Sequence, residues 1–257
     1  MATVGTVTTA TPSARFADRG SLQAERLFYV IAAYLMLVAT LIGFREFYLR
    51  GRGFGGGPMT SDIVPLIVTH GLAMSAWIAL FCAQSTLILR GNRRLHMVIG
   101  PWGAVLAGLI VVLGSSVALL SVHFNPQIYG PFGGPQFFLM IMLSEMLLFG
   151  TLVTVGIGNR HRAEIHRPIM LLATIVILSG SLARMPYVLP LAILPPLYVY
   201  TPSLLFGALL FLLHWGMTRA VNRRYLIGYL AILIASFVFV GLGSTGAWTR
   251  LVDTLVL

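Results

Sequence analysis

The sequence contains no lysine: all 17 of its basic residues are arginine. A chain without lysine forms no Schiff base through a side-chain amine, which excludes a retinal-binding opsin and enzymes with a lysine nucleophile. The chain has one cysteine, Cys82, so an intrachain disulfide and a cysteine-based metal cluster are excluded as well. Acidic residues are also scarce, with only seven in 257 residues.

Charge of either sign is rare in this chain. Charged residues make up 9% of the sequence, against about 25% in an ordinary soluble domain. The hydrophobic fraction is 58% and the mean hydropathy is +0.90. A chain this apolar could not cover a water-exposed surface, so a soluble enzyme is excluded. The net charge of +10 is then explained by loops that face an anionic lipid leaflet, and no nucleic-acid partner is expected.

Seven apolar runs, each of about 19–28 residues, are long enough to cross the hydrocarbon of a bilayer. Because lipid offers the backbone no hydrogen-bond partner, each run is expected to be a helix. The predicted fold is therefore an all-α bundle of about seven transmembrane helices in one domain, residues 25–257. Residues 1–24 lack an apolar signal-peptide core and are expected to form a mobile cytoplasmic tail. The predicted runs are 27–49, 63–89, 95–122, 137–157, 166–185, 203–221 and 225–243.

The arginines are unevenly divided between the two sides that seven crossings would create. Twelve lie in the N-terminal tail and in the loops 90–96, 158–167 and 219–224, and five lie on the other side. The positive-inside rule then places the N-terminus in the cytoplasm and the C-terminus outside. We expect a multi-pass protein of the bacterial cytoplasmic membrane.

Three ionisable residues are predicted to lie in the outer half of the bundle. A charged side chain in hydrocarbon costs about 2.5–3.5 kcal/mol on insertion scales, so such residues face the protein interior. His70 and Glu145 lie about 11–12 Å below the outer ends of the second and fourth runs, at 1.5 Å per residue. Arg184 ends the fifth run and can reach the same depth. The three residues predict a ligand or proton site, with a structural ion pair and a core histidine as the alternative.

A second group of histidines is expected near the cytoplasmic face. His96 and His166 begin the third and fifth runs, and His214 lies near the inner end of the sixth. Together with His70, they are the candidate ligands of a transition metal, or of a haem b iron held between two facing imidazoles. The alternative is that they contact lipid phosphates at the interface. Gln84, in the inner half of the second run, is interpreted as a helix-to-helix hydrogen bond.

One extended motif resembles a group of uncharacterised multi-span bacterial membrane proteins. Their pattern is a histidine, a glutamine, a basic loop that ends in Leu-His-Arg, and then His-Arg-x-x-Met before a helix with a terminal arginine. The resemblance covers residues 63–185 and departs at Met97, where that family usually has arginine. It implies no established activity. A more distant similarity to haem-binding ferric-reductase and cytochrome b bundles rests only on histidines within helices. The matching residues here are His70, Gln84, Arg90, His96, Gly100, His166, Arg167, Met170 and Arg184.

Three functions remain open at this stage. The first is histidine-based haem or metal binding linked to electron transfer, with a quinone or a partner subunit as the electron acceptor. The second is an accessory or structural subunit of a larger membrane complex. The third is a small-ligand or proton-coupled transporter that uses the histidine, glutamate and arginine of the outer half. No HExxH or GxSxG motif is present, so no catalytic residue is assigned to the isolated chain.

Overall fold

The computed structural model describes residues 12–53, 62–193, 195 and 197–257. Within those residues the chain is all-α and contains no strand. The helices are α1 Pro12–Gly43, α2 Arg45–Arg50, α3 Val64–Leu89, α4 Arg93–Phe124, a 3₁₀ helix Pro126–Phe132, α5 Pro135–Gly158, α6 Ala163–Val176, α7 Ser179–Leu182, α8 Leu189–Ala192, α9 Tyr200–Thr218, α10 Arg223–Gly243 and α11 Gly246–Leu255.

Six of the described helices are long and apolar enough to cross a membrane. Between 22% and 44% of the most apolar window of each is buried in the bundle, which leaves most of its side chains to face lipid. The predicted all-α membrane class is therefore confirmed, whereas the count of seven is not. The six segments are Leu22–Gly43, Val64–Leu89, Arg93–Phe124, Pro135–Gly158, Tyr200–Thr218 and Arg223–Gly243.

The first helix differs at both ends from the predicted run 27–49. It begins at Pro12, so residues 12–24 extend the helix into the predicted tail, and residues 1–11 lie outside the described part of the chain. It ends at Gly43, and α2 follows as a separate short helix. Glycine is a weak helix former, and here the end of α1 also packs directly on the backbone of Ser181. An apolar run cannot reveal such a break.

The sequence predicted one continuous fifth helix, 166–185, and this prediction is wrong. The structure divides it into α6 and the four-residue α7, with a turn at Ile177 and Leu178. The β-branched run before the turn and the serine and glycine after it are weak helix formers. Packing on all sides compensates for this low helix propensity, because the four residues 171–174 are completely buried. This broken segment is the centre of the bundle and contacts α1, α5, α9 and α10.

Both ends of the broken segment contact α1 close to the ends of its apolar part, Leu22–Gly43. At its start, Arg167 forms an ion pair with Glu25, with 3.3 Å between Nη1 and Oε2. At its end, the backbone of Ser181 lies against Gly43. The two segments therefore run between the same two levels. We call the level with loops 90–96, 158–167 and 219–224 the arginine end, and the other level the opposite end.

Short helices cover the opposite end of the bundle. The 3₁₀ helix buries Tyr129, and α11, for which the sequence predicted no helix, packs beside it through Val252. Trp248 on α11 donates its Nε1–H to the carbonyl oxygen of Gln136 at 2.7 Å, and the Gln136 amide donates to Asp253 at 2.7 Å. These contacts tie the C-terminus to the start of α5.

Candidate functional site

The structure brings His70, Glu145 and Arg184 together near the opposite end of the bundle. His70 lies on α3, Glu145 lies on α5, and Arg184 follows α7. Arg184 interacts electrostatically with both of the other side chains. Glu145 is only 8% exposed, so its carboxylate is buried within the helix bundle. Three residues far apart in the sequence thus form one ionisable cluster, which we call the acid–base cluster.

Two contacts hold Arg184 in this position. Its Nη1 donates to the carbonyl oxygen of Gly180 at 2.5 Å, and its Cζ lies 4.6 Å from the centre of the Phe44 ring. A guanidinium over an aromatic face is stabilised by about 0.5–2 kcal/mol, depending on how far it is desolvated. Arg184 also interacts with Tyr129 on the 3₁₀ helix. Desolvation by burial raises the pKa of the Tyr129 phenol, so it stays protonated at neutral pH.

Polar groups from α5, α7 and α9 surround the Glu145 carboxylate. Ser179, at the start of α7, is its side-chain neighbour, and Tyr200 interacts with it electrostatically. The Tyr200 hydroxyl is itself hydrogen-bonded to Ser144. Two buried atoms in the cluster nevertheless have no hydrogen-bond partner among the described residues, Glu145 Oε1 and His70 Nδ1. Buried polar atoms are nearly always paired, so this grouping points to a site for a proton or a small ligand.

A glycine on α4 makes room for the His70 ring. A Cβ placed on Gly114 would lie 3.0 Å from His70 Cε1 and would contact the Met146 sulfur. With glycine there, the imidazole lies between α3, α4 and α5 beside the residue that follows Glu145. No feature of the isolated sequence singled out Gly114.

Sequence reasoning missed four residues that surround this cluster: Phe44, Ser144, Ser179 and Tyr200. Three of them lie where helices begin or end, and apolar runs hide such boundaries. The signal for Ser179 was available, since the Ser-Gly-Ser sequence 179–181 is unusual inside a predicted transmembrane helix. The other three carry no local signal that separates them from ordinary interfacial residues.

At the arginine end, the structure pairs His96 with His166. Their ring centroids are 6.5 Å apart and the ring planes meet at 83°. His166 donates from Nδ1 to the carbonyl oxygen of Gly156 at 2.8 Å. His96 lies beside the backbone of Gln84, and its Nδ1 has no partner among the described residues. The sequence predicted a helix-to-helix hydrogen bond for the Gln84 side chain. Neither atom of its amide has a hydrogen-bond partner among the described residues, so this bond is not found there.

His214 does not join that pair. It is 6% exposed and packs edge-on against the Phe28 ring of α1 at 4.9 Å, with Thr218 one turn away. Among the described residues, no three histidine, cysteine or acidic side chains gather closely enough to hold a metal ion. The set of His96, His166 and His214 that the sequence suggested is therefore not assembled.

An apolar layer separates the two groups. His70 and Gln84 are 14 residues apart on α3, which corresponds to about 21 Å along a helix axis. Between them, Trp77 packs against Phe149 with ring centroids 5.0 Å apart and donates to Thr174 at 3.2 Å. The acid–base cluster and the histidine pair are therefore separate sites.

Two cavities lie elsewhere in the molecule. One of about 290 Å³ is at the arginine end beside Arg26, and one of about 270 Å³ is at the opposite end around Gln136 and Tyr198. Neither is lined by a histidine, Glu145 or Arg184.

Comparison with known proteins gives no match to a family model, to a curated protein or to a solved structure. The candidate functional residues are therefore identified by their positions in the structure. The resemblance to the uncharacterised bacterial membrane proteins stays a prediction.

Proposed function

We propose that this protein is a proton-coupled membrane transporter that binds a small anion at the acid–base cluster. The observation that carries the proposal is Glu145, a carboxylate that is 8% exposed, has one unpartnered oxygen and lies within electrostatic reach of Arg184. Ionisable residues inside a membrane domain are costly, and they mark substrate and proton pathways. The apolar bundle around them supplies the low dielectric that makes their interaction strong.

The proposal includes seven membrane crossings, with α6 and α7 together as the fifth. In its support, the segment runs between the same two levels as α1, as the contacts of Arg167 with Glu25 and of Ser181 with Gly43 show. Seven crossings and the arginine distribution put the N-terminus in the cytoplasm and the C-terminus outside, in the cytoplasmic membrane of a bacterium. The opposite end then faces outward, and the acid–base cluster lies in the outer half.

The coupling follows from charge balance at Arg184. Without cargo, an ionised Glu145 is the counter-ion of the guanidinium. When a small anion binds Arg184, two negative charges would share one buried cation, so Glu145 takes up a proton. One anion and about one proton then bind together as a neutral unit. His70 Nδ1, which has no partner among the described residues, and Ser179 Oγ, which lies beside Glu145, are the groups that would hydrogen-bond the cargo.

The broken helix provides a means of movement. Discontinuous transmembrane helices recur at transporter binding sites, because the unwound backbone there supplies polar groups and can hinge. In this structure the break at Ile177 adjoins Ser179 of the cluster. The apolar layer around Trp77 and Phe149 closes the route to the arginine end, so release to the cytoplasm requires a second conformation in which these two rings separate.

The test is uptake by proteoliposomes that contain a pH-sensitive dye, with chloride, nitrate and inorganic phosphate as probes. We expect at least one probe to enter together with protons. Arg184→Gln should abolish uptake, and Glu145→Gln should leave anion binding but remove its pH dependence. In the wild type, affinity should fall about tenfold per pH unit between the pKa of the carboxyl group without cargo and its higher pKa with cargo bound, because one proton is linked to each anion in that range.

The matched control is Glu164→Gln, which changes an exposed carboxylate at the arginine end. Uptake by this variant should equal that of the wild type. If Glu145→Gln retains full proton coupling, or if no probe binds in a manner that depends on Arg184, the cluster is a structural ion pair and the proposal is wrong.

The other functions predicted from the sequence stay predictions. Haem b binding with electron transfer to a quinone is tested by an absorption spectrum before and after dithionite reduction. A role as an accessory subunit is tested by co-purification in mild detergent. We favour transport because His70, Glu145 and Arg184 lie together in the bundle.

A further inference from the structure

The histidine pair at the arginine end takes no part in the proposed transport step. His96 and His166 lie in the first turns of α4 and α6, and both side chains are partly buried. Both helices pack closely against α5. The histidine pair is therefore available for a separate chemical role.

The backbone fixes which ring nitrogen of each histidine is available. A carbonyl oxygen only accepts hydrogen bonds, so His166 carries its proton on Nδ1, which donates to Gly156, and Nε2 is left with a lone pair. The backbone of Gln84 is the hydrogen-bonding group beside the His96 ring, whereas His96 Nδ1 is buried and unpartnered. Metal-binding histidines show this arrangement, in which one ring nitrogen is anchored to a carbonyl and the other faces the ion.

The spacing of the rings fits one shared ion that lies between them. With nitrogen-to-metal distances of about 2.0–2.1 Å, two imidazoles on one ion have centroids about 5 Å apart at a tetrahedral angle and about 6.4 Å apart when they bind from opposite sides of the metal. The observed separation is 6.5 Å, which matches the second arrangement.

The Gln84 side chain supplies a third polar group. Both of its amide atoms are buried and lack a partner among the described residues, which costs about 1–3 kcal/mol per group. Its backbone lies beside the His96 ring, and we take its amide oxygen as the third ligand. An ion bound there would explain why an amide is kept in this apolar helix.

The nearby arginines do not prevent cation binding. Arg93, Arg94, Arg160 and Arg162, which flank the pair in sequence, are all exposed. Water, salt and lipid phosphates therefore screen their charge. Arg90 is exposed as well, and Arg167 is neutralised by its ion pair with Glu25.

We infer that His96, His166 and Gln84 form a binding site for one divalent transition-metal ion at the arginine end of the bundle. Two imidazole nitrogens and one amide oxygen suit zinc, copper or nickel. The remaining coordination positions are open to water, because only three protein groups take part. The site is independent of the acid–base cluster, about 21 Å away along α3.

The experiment uses the full chain, purified in detergent with a tag that contains no histidine. Equilibrium dialysis against Zn²⁺ should give one ion per protein, and bound Cu²⁺ should show electron-spin couplings to two imidazole nitrogens. His96→Gln and His166→Gln should each weaken Zn²⁺ binding by about 100-fold or more, and Gln84→Leu by about tenfold.

His161→Gln and His214→Gln are the matched controls, since one is exposed in a loop and the other packs on Phe28. Both should bind Zn²⁺ as tightly as the wild type. The spectrum of Cu²⁺ on the wild-type protein tests the site even if a variant fails to fold.

Three results would overturn the inference. The first is less than stoichiometric binding by the wild type. The second is an equal loss in the control variants, which would indicate nonspecific binding to histidines. The third is a Soret band in the protein as purified that disappears in His96→Gln or His166→Gln, which would mean that the pair holds haem iron rather than a free ion.

Discussion

Replacing Gly43 with alanine should destabilise the protein and disturb the acid–base cluster together. A Cβ at this position would lie 2.7 Å from the carbonyl carbon of Ser181 and 2.9 Å from its Cα. Ordinary contacts begin at 3.4 Å, and the carbonyl oxygen of Ser181 lies closer still, so the α7 backbone at Ser181 must retreat by more than about 0.7 Å. A backbone segment cannot rotate away as a flexible side chain can. Overpacking of this kind costs about 1–3 kcal/mol.

The displacement should reach Arg184 because both of its supports adjoin the contact. Phe44, whose ring lies under the guanidinium, is the next residue after Gly43, and Gly180, which accepts from Nη1, precedes Ser181. Anion affinity in the proposed transport assay should therefore fall along with stability.

Stability is measured by equilibrium unfolding in mixed micelles as the fraction of denaturing detergent rises. Gly108→Ala is the matched control, since Gly108 is an exposed helical glycine with no atom within 4 Å of its would-be Cβ. This variant should unfold at the wild-type midpoint or gain up to about 1 kcal/mol from helix propensity. If the two variants unfold alike, the close approach of α1 and α7 does not exist and the reasoning fails.

Two further predictions concern helix ends and topology. Asn92 and Asn222 each accept a hydrogen bond from the backbone N–H three residues ahead, at the start of a helix. Replacing either with alanine should therefore lower the free energy of unfolding by about 1 kcal/mol. Asn159→Ala removes no such cap and should cost less, so equal losses would contradict the cap assignment. The topology is tested by cysteine labelling in a variant whose native cysteine is replaced by alanine. Ala247→Cys should react with an impermeant thiol reagent added to intact cells, and His161→Cys should react only after lysis. Labelling of both residues from one side would rule out seven crossings.

The depth of the acid–base cluster could be predicted from the sequence because helix geometry is regular. Counting residues from the ends of two apolar runs placed His70 and Glu145 at one level, and in the structure both interact with Arg184. Counting gives height along an axis but not rotation about it. For the same reason it could not show that His214 turns toward Phe28 and away from His96.

The breaks in the chain were less accessible. The apolar run 166–185 looks uniform, yet tertiary packing supports a turn after Val176 that a helix in lipid alone would not tolerate, since its freed carbonyls would have no partner. Within the bundle, the Ser181 hydroxyl bonds the carbonyl oxygen of Leu178 at 2.9 Å and helps to satisfy the backbone there. Whether a break is permitted depends on neighbours that the run itself does not contain.

The sequence by itself determined that this chain is a membrane-embedded helical bundle. Long apolar runs in a solvent without hydrogen-bond partners leave the backbone no other choice, and the absence of lysine and the single cysteine exclude whole classes of chemistry in any fold. Only the tertiary structure decided which polar residues meet: Arg184 with Glu145 and His70, and His96 with His166. Such contacts depend on helix rotation, on glycines that let helices approach, and on where a helix breaks, and these are properties of the packed bundle.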